Sequence, residues 1–544
     1  MIILAIIAFI FGLGLIICLH EFGHFIFAKK ADILCYEFSI GMGPAIYRKK
    51  KGETTYALRC IPIGGYVSMA GEEISNEIVK VGQHIGLNLK DGKVSEILLD
   101  ETDEHEYFGE VLSLDLYDQE GNGLFIELKI DEESKVFEVL EDAFYVHPSK
   151  RGNKDKTWRK MQISPYSRSF ESKKLLPRFL SISFGPIMNF ILAIVLFFIV
   201  GLCVGKPDMS KTVIDEVSGP AATVVDKENG ITKLMKNDEI LKIEGTSVSN
   251  WNELSNKLDE IAGYDEVDFV VKRNGEEINV TVNPIIYIGN LGVCGYTSDV
   301  IEEGIPVYLY VTNAKEAGIE NGDLIKKVNG VDVKSWSELV NICKELNGGK
   351  YEVVVDRPKL DDNGKIIYDE SKNIVYVEQN KVLTVEFFED QVLNGIGIEK
   401  ISQTIGIAPN TKFDLFYAMG YGFSGTWGAL VDVFNTLKLL FSSNQVGVSD
   451  LSGPVGIFTL IESSVNQGFV NYIALLGMLS VNIGIINLLP IPALDGGRLV
   501  FLAYEAITRK KPNKKVENTL NTIVFILLMA LFVYITFNDI LRLG

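Results

Sequence analysis

The sequence predicts a polytopic α-helical membrane protein of about four spans, with a membrane-associated β-hairpin and two small α+β domains outside the membrane. Three observations predict it: four long apolar runs, an extended stretch with a turn just after the first run, and an internal repeat between the second and third. With 544 residues the chain exceeds what one hydrophobic core organises. Apolar residues make up 47% of it while the net charge is -19, so the charge is concentrated between the apolar runs. That balance excludes nucleic acid as a partner, because binding phosphate calls for a basic surface.

Residues 1–19 carry no charge, and as a helix they measure about 28 Å, close to the hydrocarbon thickness of a bilayer. The run lacks a basic leader segment and a small-x-small cleavage site, so it reads as a span, continuing to residue 28, rather than a signal peptide. Residues 179–205, 470–497 and 519–538 supply the other three spans. Lys29, Lys30 and the basic cluster 48–51 follow the first span, Lys173, Lys174 and Arg178 precede the second, and Arg509, Lys510, Lys511, Lys514 and Lys515 separate the last two. The positive-inside rule then places loops 28–178 and 492–519 in the cytosol and both termini outside.

Between the spans, residues 37–70 alternate like β-structure around a turn at Gly52, a hairpin lying against the membrane face. Residues 72–166 are polar and acidic, with strands expected near 110–130 and no chemical motif. His84, His105 and His147 fall there without ligand spacing and read as surface residues. The segment KNDEILKIEGTSVSNWNEL from Lys236 recurs as NGDLIKKVNGVDVKSWSEL from Asn321, an offset of about 85 residues, the period of a small domain. Each copy reads as strand, turn, strand, then a helix starting near Trp251 or Trp336. The pattern resembles a circularly permuted PDZ domain, which gives two PDZ-like domains at 207–286 and 287–390, the second with a polar hairpin insertion near 357–380. Such folds bind peptides by strand addition to a sheet edge, or serve as spacers. Residues 411–465 read as an amphipathic external segment with a short interfacial helix, since Asp414, Asp432 and Lys438 interrupt it. The six cysteines show no CxxC spacing; Cys18 and Cys203 read as buried fillers of spans, and a Cys294–Cys343 bridge is left open.

The chemistry is concentrated in HEFGH, at His20, Glu21 and His24. Positions i and i+4 share a helix face, so both imidazoles can reach one metal, with Glu21 as general base. These ionisable groups continue directly from a membrane span, where polar side chains are costly and mark function. A catalytic zinc site takes a third protein ligand plus water. NLLPIPALDGG, from Asn487 to Gly497, offers Asp495 just past a span broken by Pro490 and Pro492. Two other classes fit part of the pattern: an inactive membrane scaffold that binds peptides through the repeats, and a metal or proton transporter. The intact Glu21 speaks against the first, and the few polar residues in the spans against the second.

HExxH on the first span, NxxPxPxLDGG on a late one and the repeats between them resemble the site-2 protease family, specifically its RseP-type bacterial branch. GMGP at 41–44, IPIGGYV at 61–67, FGPIMNF at 184–190 and LSGPVGI at 451–457 agree with it. The resemblance implies a zinc-dependent protease in a bacterial plasma membrane. His20, His24 and Asp495 would hold zinc and Glu21 would be catalytic. Asn487, Gly64, Gly65, Pro490 and Pro492 would hold substrate, supported by Gly185, Pro186 and Asn189. It further implies single-span membrane substrates already trimmed by another protease, such as anti-sigma factors and leftover signal peptides. Two departures stand out: the insertion at 73–166 is longer than the family usually has, and SFGP replaces the common AGP while keeping Gly185, Pro186 and Asn189.

Overall fold

The computed structural model describes all residues except 1, 73–77, 101–102, 132, 148–159, 224, 228–229, 362–363, 370, 443–444, 446, 448–450 and 544. The chain divides into two compact units, Met1–Phe197 with Ser452–Gly544, and Phe198–Leu451.

The helices of the first unit are α1 (Ile2–Lys30), α2 (Leu175–Val204, whose last turns belong to the second unit), α3 (Pro454–Gln467), α4 (Phe469–Leu488), α5 (Asp495–Thr508) and α6 (Lys514–Leu543). Of these α1, α2, α4 and α6 are long and apolar enough to cross a membrane. They leave large apolar side chains such as Ile3 and Phe11 facing outward, as hydrocarbon permits and water does not. Small residues bring them together. A Cβ on Gly12 would stand 2.5 Å from the Leu476 side chain, and one on Gly477 would stand 3.0 Å from Phe197. The polar groups inside are matched: the Tyr472 hydroxyl donates to the Ala8 carbonyl at 2.8 Å, and Ser480 donates to that of Asn189 at 2.8 Å. The LSGP run starts α3, and the buried carboxylate of Asp539 on α6 accepts from the Gly456 amide at 2.8 Å.

β1 (Cys35–Lys51) and β2 (Thr54–Met69) form the hairpin, turning at Gly52 with φ +63°. The pair coils on itself. Residues 37–40 of β1 are matched to 65–68 of β2 on one side and to 55–58 on the other. Among the described residues no further strand pairs with this sheet, so the stretch 65–68 is an open edge. Phe25 and Ala28 of α1, Phe38, Val67 and Met69 of the hairpin, Ile182 of α2 and Leu502 of α5 share one apolar cluster, which fixes the hairpin against the helices. Glu53 adds a polar tie, accepting from Arg168 at 2.7 and 3.0 Å and pairing with Lys29.

The stretch 72–166, read from sequence as polar with strands near 110–130, has a core of its own. β3 (His84–Lys90), β4 (Lys93–Leu98), β5 (Tyr107–Asp115), β6 (Phe125–Ile130), β7 (Glu133–Val146) and β8 (Lys160–Gln162) lie in the order β4-β3-β5-β6-β7-β8. β4 also pairs with β7, which closes the sheet into a small barrel. Closure removes edges and lets alternate residues such as Leu87, Val111, Ile126 and Leu128 fill the interior. His84, His105 and His147 are on its surface.

The second unit holds the repeats, and the correspondence extends to hydrogen bonds. Asp238 accepts from Arg273 at 2.8 and 2.7 Å, and Asp323 accepts from Arg357 at 2.8 and 2.8 Å; both carboxylates are buried. The helices Trp251–Glu260 and Trp336–Glu345 are capped alike, by Asn250 on the Glu253 amide and Ser335 on the Glu338 amide. The boundaries differ from those read at 207–286 and 287–390. Strand Ile401–Thr404 pairs with Ile285–Ile288 of the second copy, and Ile407–Pro409 returns to pair with Ile214–Val217 of the first. These strands have three or four residues, too few for a period of two to register in sequence. The single interfacial segment expected at 411–465 is two elements. Leu415–Ser442 is one helix of 28 residues, and the chain from Ser452 belongs to the first unit, where Gly453-Pro454 opens α3. The Cys294–Cys343 bridge is absent, both thiols being free, and Cys203 is exposed rather than buried.

Candidate active site

Glycine brings α1 and α2 into contact around HEFGH. A Cβ on Gly23 would stand 2.2 Å from the Phe184 carbonyl oxygen, and one on Gly185 would stand 2.2 Å from His24 Nε2. Pro186 removes an amide from α2 just beyond this contact. His24 Nδ1 lies 2.8 Å from the Ser181 carbonyl oxygen. A carbonyl only accepts, so Nδ1 carries the proton and Nε2 presents a lone pair. His20 Nδ1 lies 3.3 Å from the carboxamide of the buried Asn189. The atom placed there is Asn189 Nδ2; with Nε2 of His20 as the donor atom, Nδ1 carries the proton here too, so the carboxamide is the one turned over, which brings its unpartnered oxygen to accept from Nδ1.

Asp495 reaches the same point from the opposite direction. α4 ends at Leu488, the chain turns with Ala493 at φ +72°, and Asp495 begins α5. The tightness of this turn depends on the two glycines after it: a Cβ on Gly496 would stand 2.1 Å from the Leu489 carbonyl oxygen, and one on Gly497 2.4 Å from that of Ile491.

The three donor atoms form a nearly equilateral triangle. His20 Nε2 and His24 Nε2 are 3.2 Å apart, and Asp495 Oδ2 is 3.2 Å from the first and 3.3 Å from the second. A tetrahedral ion with bonds of about 2.0 Å requires donors about 3.3 Å apart. Two imidazole lone pairs facing each other at this distance repel unless a cation lies between them, and Asp495 Oδ2 is buried without a hydrogen bond. The residues therefore fit a zinc ion, and among the described residues these three make the group able to hold a metal.

A cavity of about 720 Å³ opens from the triangle. Glu21 lines it, and Gly65 stands against Glu21, since a Cβ there would be 2.9 Å from the Glu21 side chain. The edge 65–68 forms one wall and Asn487 another. Gly64 is behind Met42 at φ +78°, while Pro490 and Pro492 belong to the turn that carries Asp495 and are not among the lining residues. Sequence reasoning missed Glu72 and Arg498, which pair with each other across the cavity wall. Arg498 lies one turn after Asp495, but its partner is 426 residues away in sequence.

A metal triad built from the spanning-length helix α1 and the first residue of α5, just past the spanning-length α4, with a glutamate beside it, defines a membrane-embedded zinc metalloendopeptidase. The profile of Peptidase family M50 matches residues 8–531, and the chain belongs to that family. It is 30% identical to the zinc metalloprotease RasP of Oceanobacillus iheyensis, over 99% of each chain. It is also 30% identical to the regulator of sigma-W protease RasP of Bacillus subtilis strain 168, over 99% of this chain and 98% of that one. A putative zinc metalloprotease of Staphylococcus aureus strain MRSA252 is 28% identical over 99% of this chain and 98% of its own.

Proposed function

We propose that this enzyme cuts transmembrane segments of single-span membrane proteins at a site within the membrane. The observation that carries the reading is the donor triangle of His20, His24 and Asp495 at the end of a helix long and apolar enough to span. These three side chains hold zinc. Bound there, zinc supplies Lewis acidity, polarising a scissile carbonyl and lowering the pKa of water toward about 7. Glu21 takes the proton from the attacking water and returns it to the leaving amine. Asn487 faces the same cavity and orients the substrate. Asn189 and the Ser181 carbonyl hold the imidazoles in the tautomer that ligation needs.

A transmembrane helix conceals its own peptide bonds, so the scissile segment must unwind before water reaches it. The open edge at 65–68 beside Glu21 offers the hydrogen bonds an unwound strand loses. The two repeats act as PDZ-like modules outside the membrane that reject substrates with bulky external domains. Both termini are outside, with 28–178 and 492–519 in the cytosol of a bacterial cell. The name of the Bacillus subtilis relative, a regulator of a sigma factor, favours anti-sigma-factor-like substrates pre-trimmed by another protease, with signal-peptide remnants as a second class.

The test is cleavage of a model single-span substrate by purified full-length protein and by Glu21→Gln. The variant is expected to retain zinc and lose cleavage. Equal processing by both would overturn the assignment of Glu21 and the enzyme reading built on it, peptide binding with no cleavage by either would leave a scaffold, and ion uptake into vesicles without cleavage would leave a transporter.

A further inference from the structure

The barrel of residues 84–162 enters the wall of the catalytic cavity. Met161 on β8 and Ile78 just before β3 line it, opposite Tyr36 of the hairpin. The same three residues, with Gly71, also line a second cavity of about 340 Å³ on the far side, so the two spaces share a doorway. That volume is at the small end of the range of about 300–1,000 Å³ typical of ligand pockets, enough for a bulky side chain. Its lining combines apolar and aromatic side chains, Leu114, Leu116, Tyr117 and Tyr145 from the barrel, with the polar Asp115, Ser164, Glu171 and Lys514. The charges that touch it are engaged: Asp115 accepts from the Tyr117 and Asp118 amides at 3.0 and 2.7 Å, and Glu171 pairs with Lys514.

The position of the doorway gives this space a use. The open edge 65–68 runs through Met69 toward Gly71, so a strand added to that edge passes the donor triangle and reaches the doorway. Side chains of an added strand alternate in direction, so alternate ones would turn toward the wall where Tyr36 and Met161 stand. From this geometry we infer that the barrel builds a substrate subsite: the second cavity accepts a large uncharged apolar side chain flanking the scissile bond, with Met161 and Ile78 setting the size of its entrance. The barrel is thereby a specificity element rather than a spacer, a conclusion that rests on the intramembrane protease reading above.

The experiment uses purified full-length enzyme and a set of single-span substrates that differ only in carrying Ala, Leu, Phe or Trp at each position flanking the cleaved bond. At one position the wild type is expected to favour Phe over Ala in kcat/KM by about tenfold, the scale of discrimination by an apolar pocket. Met161→Trp blocks the doorway and should bring that ratio to within about twofold, while Met161→Ala should shift preference toward Trp. Wild-type ratios in both variants overturn the inference. So does a uniform loss in Met161→Trp combined with unchanged ratios in Met161→Ala, because that marks a folding defect and no subsite. Failure of the underlying reading is distinguishable, since Glu21→Gln would then cleave as well as the wild type.

Discussion

Replacing Gly185 with alanine tests the donor triangle without touching a ligand. The added Cβ would lie 2.2 Å from His24 Nε2, 2.4 Å from Cε1 and 2.8 Å from Cδ2. Carbon contacts are comfortable at about 3.5 Å, so the ring or α2 must retreat by more than about 1 Å. A metal site tolerates about 0.2 Å in its bonds. The His24–Ser181 hydrogen bond at 2.8 Å is lost in the same movement, and loss of such an outer contact alone costs about 10–100-fold in metal affinity. Gly185→Ala is therefore expected to weaken zinc binding by at least about 100-fold, or about 2.8 kcal/mol, with cleavage falling in parallel. Chelator titration of zinc from the purified full-length protein measures it. Gly14→Ala on α1 is the control, because a Cβ there meets nothing within 4 Å, and it should titrate like the wild type. A Gly185→Ala enzyme that kept wild-type zinc affinity and activity would refute the packing of α2 against His24.

Asp495→Ala should lower zinc content and abolish cleavage; full zinc retention would remove Asp495 from the ligand set. Asn189→Ala should weaken zinc by about 10–100-fold while leaving the protein folded, read by the same titration beside a circular dichroism melt. In the repeats, removing a buried carboxylate strands its arginine, at about 3–5 kcal/mol. Asp238→Ala should cost more than Asp323→Ala, because Arg357 keeps Glu320 at 2.6 Å and the Gly318 carbonyl, whereas Arg273 keeps, among the described residues, the Lys233 carbonyl alone; equal denaturation midpoints would contradict this. Burial raises the pKa of Glu53, but hydrogen bonds from Arg168 and Lys29 outweigh it and hold the carboxyl below its ordinary value. The stability it provides is then complete above about pH 4–5 and is lost as pH falls through the depressed folded value. Melting temperatures between pH 7 and pH 3 should drop less steeply in Glu53→Gln than in the wild type, and equal slopes would discount the tie.

The parts of this molecule that were legible in sequence are those whose logic is local. HEFGH places two imidazoles one turn apart on any helix, and α1 does so. The four apolar runs became helices of spanning length because hydrocarbon leaves the backbone few alternatives. In the repeats, strand, turn, strand and capped helix appear where the shared residues predict them. The barrel stayed hidden because only alternate residues of short strands face its core, and a polar outer face dilutes the average. The need for glycine at 23 and 185 arises from a neighbouring helix and no property of its own. Glu72 and Arg498 have no signal before folding brings them together. The doorway at Tyr36 and Met161 likewise exists only once the barrel closes beside the hairpin.

The return of the chain after residue 400 has a consequence for synthesis. Among the described residues the strand Ile214–Val217 pairs along its length with Ile407–Pro409, and Lys206–Pro207 pairs with Thr411–Lys412. When the ribosome has made the first repeat, the piece that completes it does not yet exist, and the whole second repeat must emerge first. The first module therefore waits with a bare strand edge, able to pair with the wrong neighbour. The two modules finish together as a nested pair, and a chain cut at residue 400 would leave both of them unfinished.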